Sequence, residues 1–211
     1  MVPLLRTAEE ARQLVQASKF PPVGRRGFGS PIALERFNPV PSFTEYLEQA
    51  NDALLTMVQI ETKEAFESVD EIAAVDGVDV LFIGPFDLGS YSPLLCPHSI
   101  FPYLPQGYIP CKGGTNRLTV RMLGNNIGHP ILNGVVKPEL TDALAKILSA
   151  SHKAGKKCGI YATSGEQARQ FAEQGYDMVC VATDHTALDF TLRESLAVAS
   201  SKAKPTKGGS Y

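Results

Sequence analysis

Two carboxylates stand where the ends of a sheet would let them act together. Glu61 directly follows the apolar, β-branched run at residues 54–60 (LLTMVQI), and Asp87 follows the run at 78–83 (VDVLFI) after Gly84-Pro85-Phe86. Both runs have strand length and polar or Gly/Pro boundaries, so each acid falls at the C-terminal end of an expected strand. That is the side of the sheet where α/β folds place their chemistry. Two carboxylates converging there form a site for a hard divalent cation, which prefers oxygen ligands. The competing reading makes them ordinary acids at a helix N-terminus or in a solvated loop.

Other chemistry-bearing residues are more scattered. Residues 20–30 (FPPVGRRGFGS) set Arg25 and Arg26 among three glycines after a rigid Pro-Pro turn. The segment reads as a structured βα loop or as a loop facing an anion or a neighbouring subunit, since arginine binds carboxylate or phosphate bidentately. Of the four histidines, His98, His129 and His152 read as surface or capping residues, and His185 follows the last expected strand at the same end as the acids.

The elements that position the two acids follow from periodicity. Between them, residues 63–75 carry Ala65, Phe66, Val69, Ile72, Ala73 and Val75 at the spacing of a helix covering a sheet. The unit is strand–acid–helix–strand–acid, a right-handed βαβ crossover with adjacent parallel strands. Upstream, residues 1–5 form an apolar strand. Thr7 with Glu10 is a capping box opening a helix to about residue 19, and residues 42–52 form a second helix. Downstream, residues 90–123 hold five scattered prolines and neither period. Pro138 opens a helix to about 151, residues 156–162 form a buried strand, 164–174 a helix closed by Gly175, 178–182 a second buried strand, and 186–200 a last helix. The tail, 202–211, is rich in Gly and Lys and is expected to be disordered. Five parallel strands result, without the glycine-rich fingerprint of a dinucleotide-binding sheet.

The bulk properties narrow the class. A chain of 211 residues supports one substantial core, and a net charge of −2 argues against nucleic acid or an anionic membrane as the main partner. No stretch approaches 20 continuous apolar residues, and the first residues lack a signal-peptide pattern. Cys96, Cys111, Cys158 and Cys180 show no CxxC spacing; Cys158 and Cys180 fall in expected buried strands and read as reduced core thiols of a cytoplasmic protein. A Cys96–Cys111 disulfide is the alternative for the other two.

FPPVGRRGFGS at 20–30, VQIET at 58–62 and FIGPFDLG at 82–89, in that order, resemble the HpcH/HpaI family of class II, metal-dependent pyruvate aldolases. The resemblance covers residue 2 to about 200 and implies a (β/α)8 barrel of the phosphoenolpyruvate/pyruvate superfamily, usually hexameric with its last helix exchanged between subunits. It implies Glu61 and Asp87 as ligands of Mg²⁺, Mn²⁺ or Co²⁺, Gln59 as a contact to the pyruvyl group, and the Phe86 and Asp87 backbone amides as holders of its carboxylate. Many relatives have Ala at the place of Phe86. The implied reaction is cleavage of a 4-hydroxy-2-oxo acid to pyruvate and an aldehyde, the cation acting as a Lewis acid that stabilises the pyruvate enolate.

Against that pattern the chain is expected to be a partial barrel, about the last five βα units within residues 1–201. The general-base His, its Asp partner and the enolate-stabilising Arg are expected upstream of Met1, so no catalytic residue is assigned. Residues 90–124 read as an irregular insert, a translated intron or gene-model error, because removing them joins GPFDLG to the family-like NNIGHPILNG. Two alternatives stand beside the aldolase: a non-catalytic fragment that associates with full-length subunits, and a citrate-lyase-like lyase of CoA esters.

Overall fold

The computed structural model describes residues 1–29, 34, 38–89, 127–129, 131 and 136–200. The irregular insert, the Cys96–Cys111 pairing, His98 and the tail lie outside the described residues.

Local chemistry sets most element boundaries. Helix α1, Ala8–Ser18, starts at Thr7, whose side chain accepts from the Glu10 N–H. The Glu10 carboxylate does not close the expected box; it takes the Arg6 N–H and the Arg6 guanidinium instead. Helix α2, Phe43–Ala53, does have a reciprocal capping box between Ser42 and Glu45. Strand β1 is Met57–Ile60 and β2 is Val80–Ile83. The helix expected between them is two short ones, α3 (Lys63–Glu67) and α4 (Val69–Ala73). Ser68 separates them at φ −97°, ψ 16°, a conformation that a residue prone to local hydrogen bonding tolerates well. A short helix α5, Pro85–Gly89, follows β2, where only a turn was expected.

Downstream come α6 (Pro138–Lys153), with proline in its first turn, β3 (Lys157–Tyr161), α7 (Gly165–Glu173), β4 (Met178–Cys180) and α8 (Asp184–Ala199). The α7 C-terminus shows why Gly175 is a glycine. Its φ is +97°, and the Tyr176 N–H reaches back to the Phe171 carbonyl at 3.1 Å. The Phe171 and Tyr176 rings meet edge to face at 5.3 Å, completing a Schellman end with its apolar contact.

The strands form one parallel sheet in the order β1-β2-β3-β4, a sequence with no reversal. Residues 1–5 do not form the expected strand. They add a single parallel bridge, Val2 to Val58, because Leu4 leaves the extended region at φ 56°. The period of two divides the sheet into two faces. Val58, Ile60, Leu81, Ile83, Cys158 and Ile160 share the main core with Ala8, Ala11 and Val15 of α1, Ile72 of α4, and Leu140, Leu144 and Ile147 of α6. Burying each large aliphatic side chain there contributes about 1.5–3 kcal/mol. On the other parity, Gln59, Phe82 and Gly159 lie side by side in register. Glu61 and Gly84 are the next positions up that face.

Two expectations about the last strand are corrected. β4 is three residues long and only half-buried, since it pairs with β3 alone among the described strands. Cys180 is therefore not a core thiol; its S–H points to the Ala182 carbonyl at 3.3 Å. Cys158 is buried and unpaired as expected, and burial pushes its thiol up to about 12. Helix α8 has no buried residue, and it exposes Leu188, Phe190, Leu192, Leu196 and Val198.

Candidate functional site

The site begins where β1 ends. Glu61 is 2% exposed, yet it lies at the sheet's C-terminal edge. Its two oxygens each have a donor: Oε1 accepts from the Leu4 N–H at 2.7 Å, and Oε2 accepts from the Gln59 side-chain amide at 2.9 Å. The second contact is a direct product of strand geometry, because residues two apart on a strand share a face. Burial pushes the Glu61 carboxyl above its ordinary value. The negative charge of Asp87 acts in the same direction, while the Leu4 N–H and the Gln59 amide oppose it without cancelling it.

Asp87 sits in the first turn of α5, immediately past β2, and is exposed. Phe86 and Asp87 both precede Leu88, the first residue whose N–H reaches the Gly84 carbonyl, at 2.9 Å. The Phe86 ring is 41% exposed and lies 6.2 Å from the Tyr161 ring at the end of β3. Gly84 completes the floor. A Cβ there would stand 2.5 Å from Glu61 Oε2 and 3.2 Å from Glu61 Cβ. The carboxylate therefore occupies space that any other residue at 84 would fill.

These features bear on whether a divalent cation suits the residues. Among the described residues, the one charge acting on the buried Glu61 carboxylate is a second negative charge. Such a pair lacks a counter-ion, and a hard cation with oxygen ligands would supply it. No trio of His, Cys, Asp or Glu side chains converges among the described residues. The donor set is thus two carboxylates, which would leave the remaining positions of a six-coordinate ion to water and substrate oxygens.

The sequence-derived candidates separate clearly. Gln59, Glu61, Phe86 and Asp87 come from the ends of two adjacent strands. The described histidines have other partners: His129 lies 3.9 Å from Glu139, His152 2.9 Å from Asp177, and His185 3.1 Å from the Thr183 hydroxyl. Arg26 stacks 4.6 Å above the Phe20 ring and donates to the Tyr46 hydroxyl at 3.3 Å, in a second apolar cluster with Leu34 and Ala50. The Arg25 and Arg26 N–H groups bond the Gln16 and Lys19 carbonyls at 2.7 and 2.9 Å. For Arg26 this is the structured-loop reading. Two contributors escaped the sequence reading. The Leu4 N–H carries no residue-type signal at all, whereas Gly84 could have been found by parity, one step above Phe82 and level with Glu61.

Comparison with known proteins gives the same picture. Residues 1–91 match the family model described as HpcH/HpaI aldolase/citrate lyase. The chain is 35% identical over 189 residues to a 4-hydroxy-2-oxo-heptane-1,7-dioate aldolase of Klebsiella pneumoniae, covering 89% of this chain and 56% of that protein. It is 30% identical over 197 residues to a hydroxypyruvate/pyruvate aldolase of Chromohalobacter salexigens, covering 93% of this chain and 62% of the relative. The chain thus spans little more than half the length of these curated relatives. Among solved structures, an HpcH/HpaI aldolase/citrate lyase family protein from Burkholderia cenocepacia superposes with a TM-score of 0.62 at 27% identity, over 94% of this chain and 63% of that one. With the motifs and the parallel sheet in agreement, residues 1–91 match the HpcH/HpaI aldolase/citrate lyase family, and the chain as a whole is similar to members of that family.

Proposed function

We propose that this chain carries the metal- and pyruvate-binding half of a carbon–carbon lyase that cleaves a 4-hydroxy-2-oxo acid to pyruvate and an aldehyde. The observation that carries this reading is the buried Glu61 carboxylate beside Asp87, at the C-terminal ends of adjacent parallel strands, with no positive partner among the described residues. Glu61 and Asp87 would hold Mg²⁺, Mn²⁺ or Co²⁺. When bound, the ion supplies Lewis-acid polarisation of the 2-oxo acid's keto and carboxylate oxygens.

The chain's own residues do the rest of the binding. Gln59 lies one step below Glu61 on the same face, where its side chain both steadies Glu61 and borders the pyruvyl group. The Phe86 and Asp87 amides, in the first turn of α5, receive the substrate carboxylate. Phe86 narrows the space beside them relative to an alanine. The unreversed strand order suits an arc of a (β/α)8 barrel spanning residues 1–201. Each described histidine has a partner other than Glu61, so we assign none of them the base.

The test is a purified-chain assay. Mn²⁺-dependent pyruvate binding, followed by water-proton relaxation, should be present and should vanish in Glu61→Ala. Pyruvate release from a 4-hydroxy-2-oxo acid should be slower than in full-length relatives by about 10²–10⁴, the usual contribution of a positioned base. Robust turnover by the isolated chain, abolished by Glu61→Ala, would show that the base lies within it.

A second reading, a barrel arc that associates with other subunits, rests on α8. Five large apolar side chains exposed on one unburied helix exceed the isolated exposures normal on a monomer. We place α8 at a subunit interface. No described helix is long and apolar enough to cross a membrane.

A further inference from the structure

Leu4 is the only non-glycine residue with positive φ among the described residues, at 56°. A left-handed leucine is disfavoured by its own Cβ, so something must hold it there. Packing of its side chain does not, because that side chain is 52% exposed. The backbone on either side is fixed instead. Val2 donates to the Met57 carbonyl at 3.0 Å and accepts from the Gln59 N–H at 2.9 Å, which seats it beside β1. Leu5 is buried, and its carbonyl accepts from the Thr62 hydroxyl at 2.9 Å. Between these anchors, Leu4 puts its N–H 2.7 Å from Glu61 Oε1, across 57 positions of sequence.

We propose that Leu4 is a positioning residue, whose left-handed backbone aims one N–H at Glu61 Oε1 and so fixes this carboxylate for a divalent cation. The inference rests on the metal reading of the site given above. Gln59 holds the other oxygen at 2.9 Å, so the carboxylate is set by one donor on each oxygen. Each oxygen retains a second lone pair for a cation. A ligand oriented in this way is pre-organised, and loss of such an outer contact typically costs about 10–100-fold in metal affinity. What matters at position 4 is therefore the N–H, not the leucine side chain.

The test measures Mn²⁺ affinity by electron paramagnetic resonance beside thermal melting, on the parent chain, Glu61→Gln, Leu4→Pro and Leu4→Gly. Leu4→Pro removes the donor and, because its ring fixes φ at about −65°, the left-handed turn with it, and should weaken Mn²⁺ binding by about 10–100-fold. Leu4→Gly keeps the donor and relieves the left-handed penalty, so it should restore parental affinity and melt no lower than the parent. A folded Leu4→Pro that binds Mn²⁺ like the parent overturns the inference. Should Leu4→Pro fail to fold, a semisynthetic chain with the Leu4 amide nitrogen replaced by an ester oxygen takes its place, with the same two outcomes. If the parent binds no Mn²⁺, or Glu61→Gln binds it equally well, the metal reading itself falls and the inference with it. If parent and Glu61→Gln differ and the donor-less chain does not, the inference alone falls.

Discussion

Replacing Gly84 by alanine probes the geometry of the candidate site with one methyl group. The new Cβ would lie 2.5 Å from Glu61 Oε2, where ordinary contacts begin at 3.4 Å, so the carboxylate would have to withdraw by about 0.9 Å. It has little freedom to do so, because the same Cβ would stand 3.2 Å from Glu61 Cβ. A withdrawal of that size would stretch the 2.9 Å contact to Gln59 or the 2.7 Å contact to Leu4 past hydrogen-bonding range. A hydrogen bond to a charged group contributes about 1.5–3 kcal/mol, and each 1.4 kcal/mol is tenfold in affinity. Gly84→Ala should therefore weaken Mn²⁺ binding by roughly 10–100-fold. Overpacking should also lower stability by about 1–3 kcal/mol, or roughly 2–4 °C in melting temperature per kcal/mol for a chain of this size. Isothermal titration with Mn²⁺, beside thermal melting without metal, reads both quantities. A folded Gly84→Ala with parental Mn²⁺ affinity would refute the view that Gly84 makes room for a metal-facing carboxylate.

Three further outcomes follow from the electrostatics and the surface. Burial and the Asp87 charge raise the Glu61 carboxyl, so in the metal-free protein the folded state binds this proton more tightly than the unfolded one. Metal-free stability should then fall as pH rises from about 4.5 through the raised value, and Glu61→Gln should melt at or above the parent at pH 7; a lower melting point would contradict the charge-burial account. Asp177 behaves oppositely. Burial works against its charge, but the Lys157 ammonium, the Cys158 N–H and the His152 ring together hold its carboxyl well below the usual range. Its stabilisation is present above about pH 4 and lost as pH falls below that; Asp177→Asn should cost about 1 kcal/mol at pH 7, given its solvent access, and flatten the acid limb of a melting-temperature profile. On α8, the pair Phe190→Glu and Leu196→Glu should convert an oligomer to a smaller species by sedimentation; a parent that is already monomeric would remove α8 from any interface.

The sheet and its acids were legible because their signals are local. Apolar runs at 54–60 and 78–83 contain β1 and β2, with Glu61 directly after the first and Asp87 four residues past the second. Ser42, Pro138 and Gly175 mark helix ends through side-chain or backbone chemistry that acts within four residues. The errors arise where the deciding contact is remote. Residues 1–5 look like a strand, but the turn at Leu4 depends on Glu61 and Thr62. Residues 178–182 look buried, but their burial depends on what lies beyond β4, and nothing in MVCVA reports that. The break at Ser68 is a local event that the apolar period masks, since Ala65, Val69, Ile72 and Ala73 stay buried on both sides of it.

The same division runs through the candidate site. Alternation along one strand is enough to put Gln59 and Glu61 on one face and to make their contact, so half of the carboxylate's environment is written within three residues. The other half is a main-chain N–H, which every residue except proline possesses, delivered from 57 positions away. No side-chain identity at position 4 encodes it; a conformation does, and that conformation exists only once Val2 and Leu5 are tied to β1 and Thr62. Glu61 is therefore a local feature in sequence and a tertiary feature in chemistry. Its burial without a cation costs the fold stability, and that cost is tolerable where a bound ion returns it: at a free metal concentration 100 times Kd, binding restores about 2.7 kcal/mol. Glu61, unfavourable to the metal-free fold, is on this account also a residue whose position depends on the fold being complete around it.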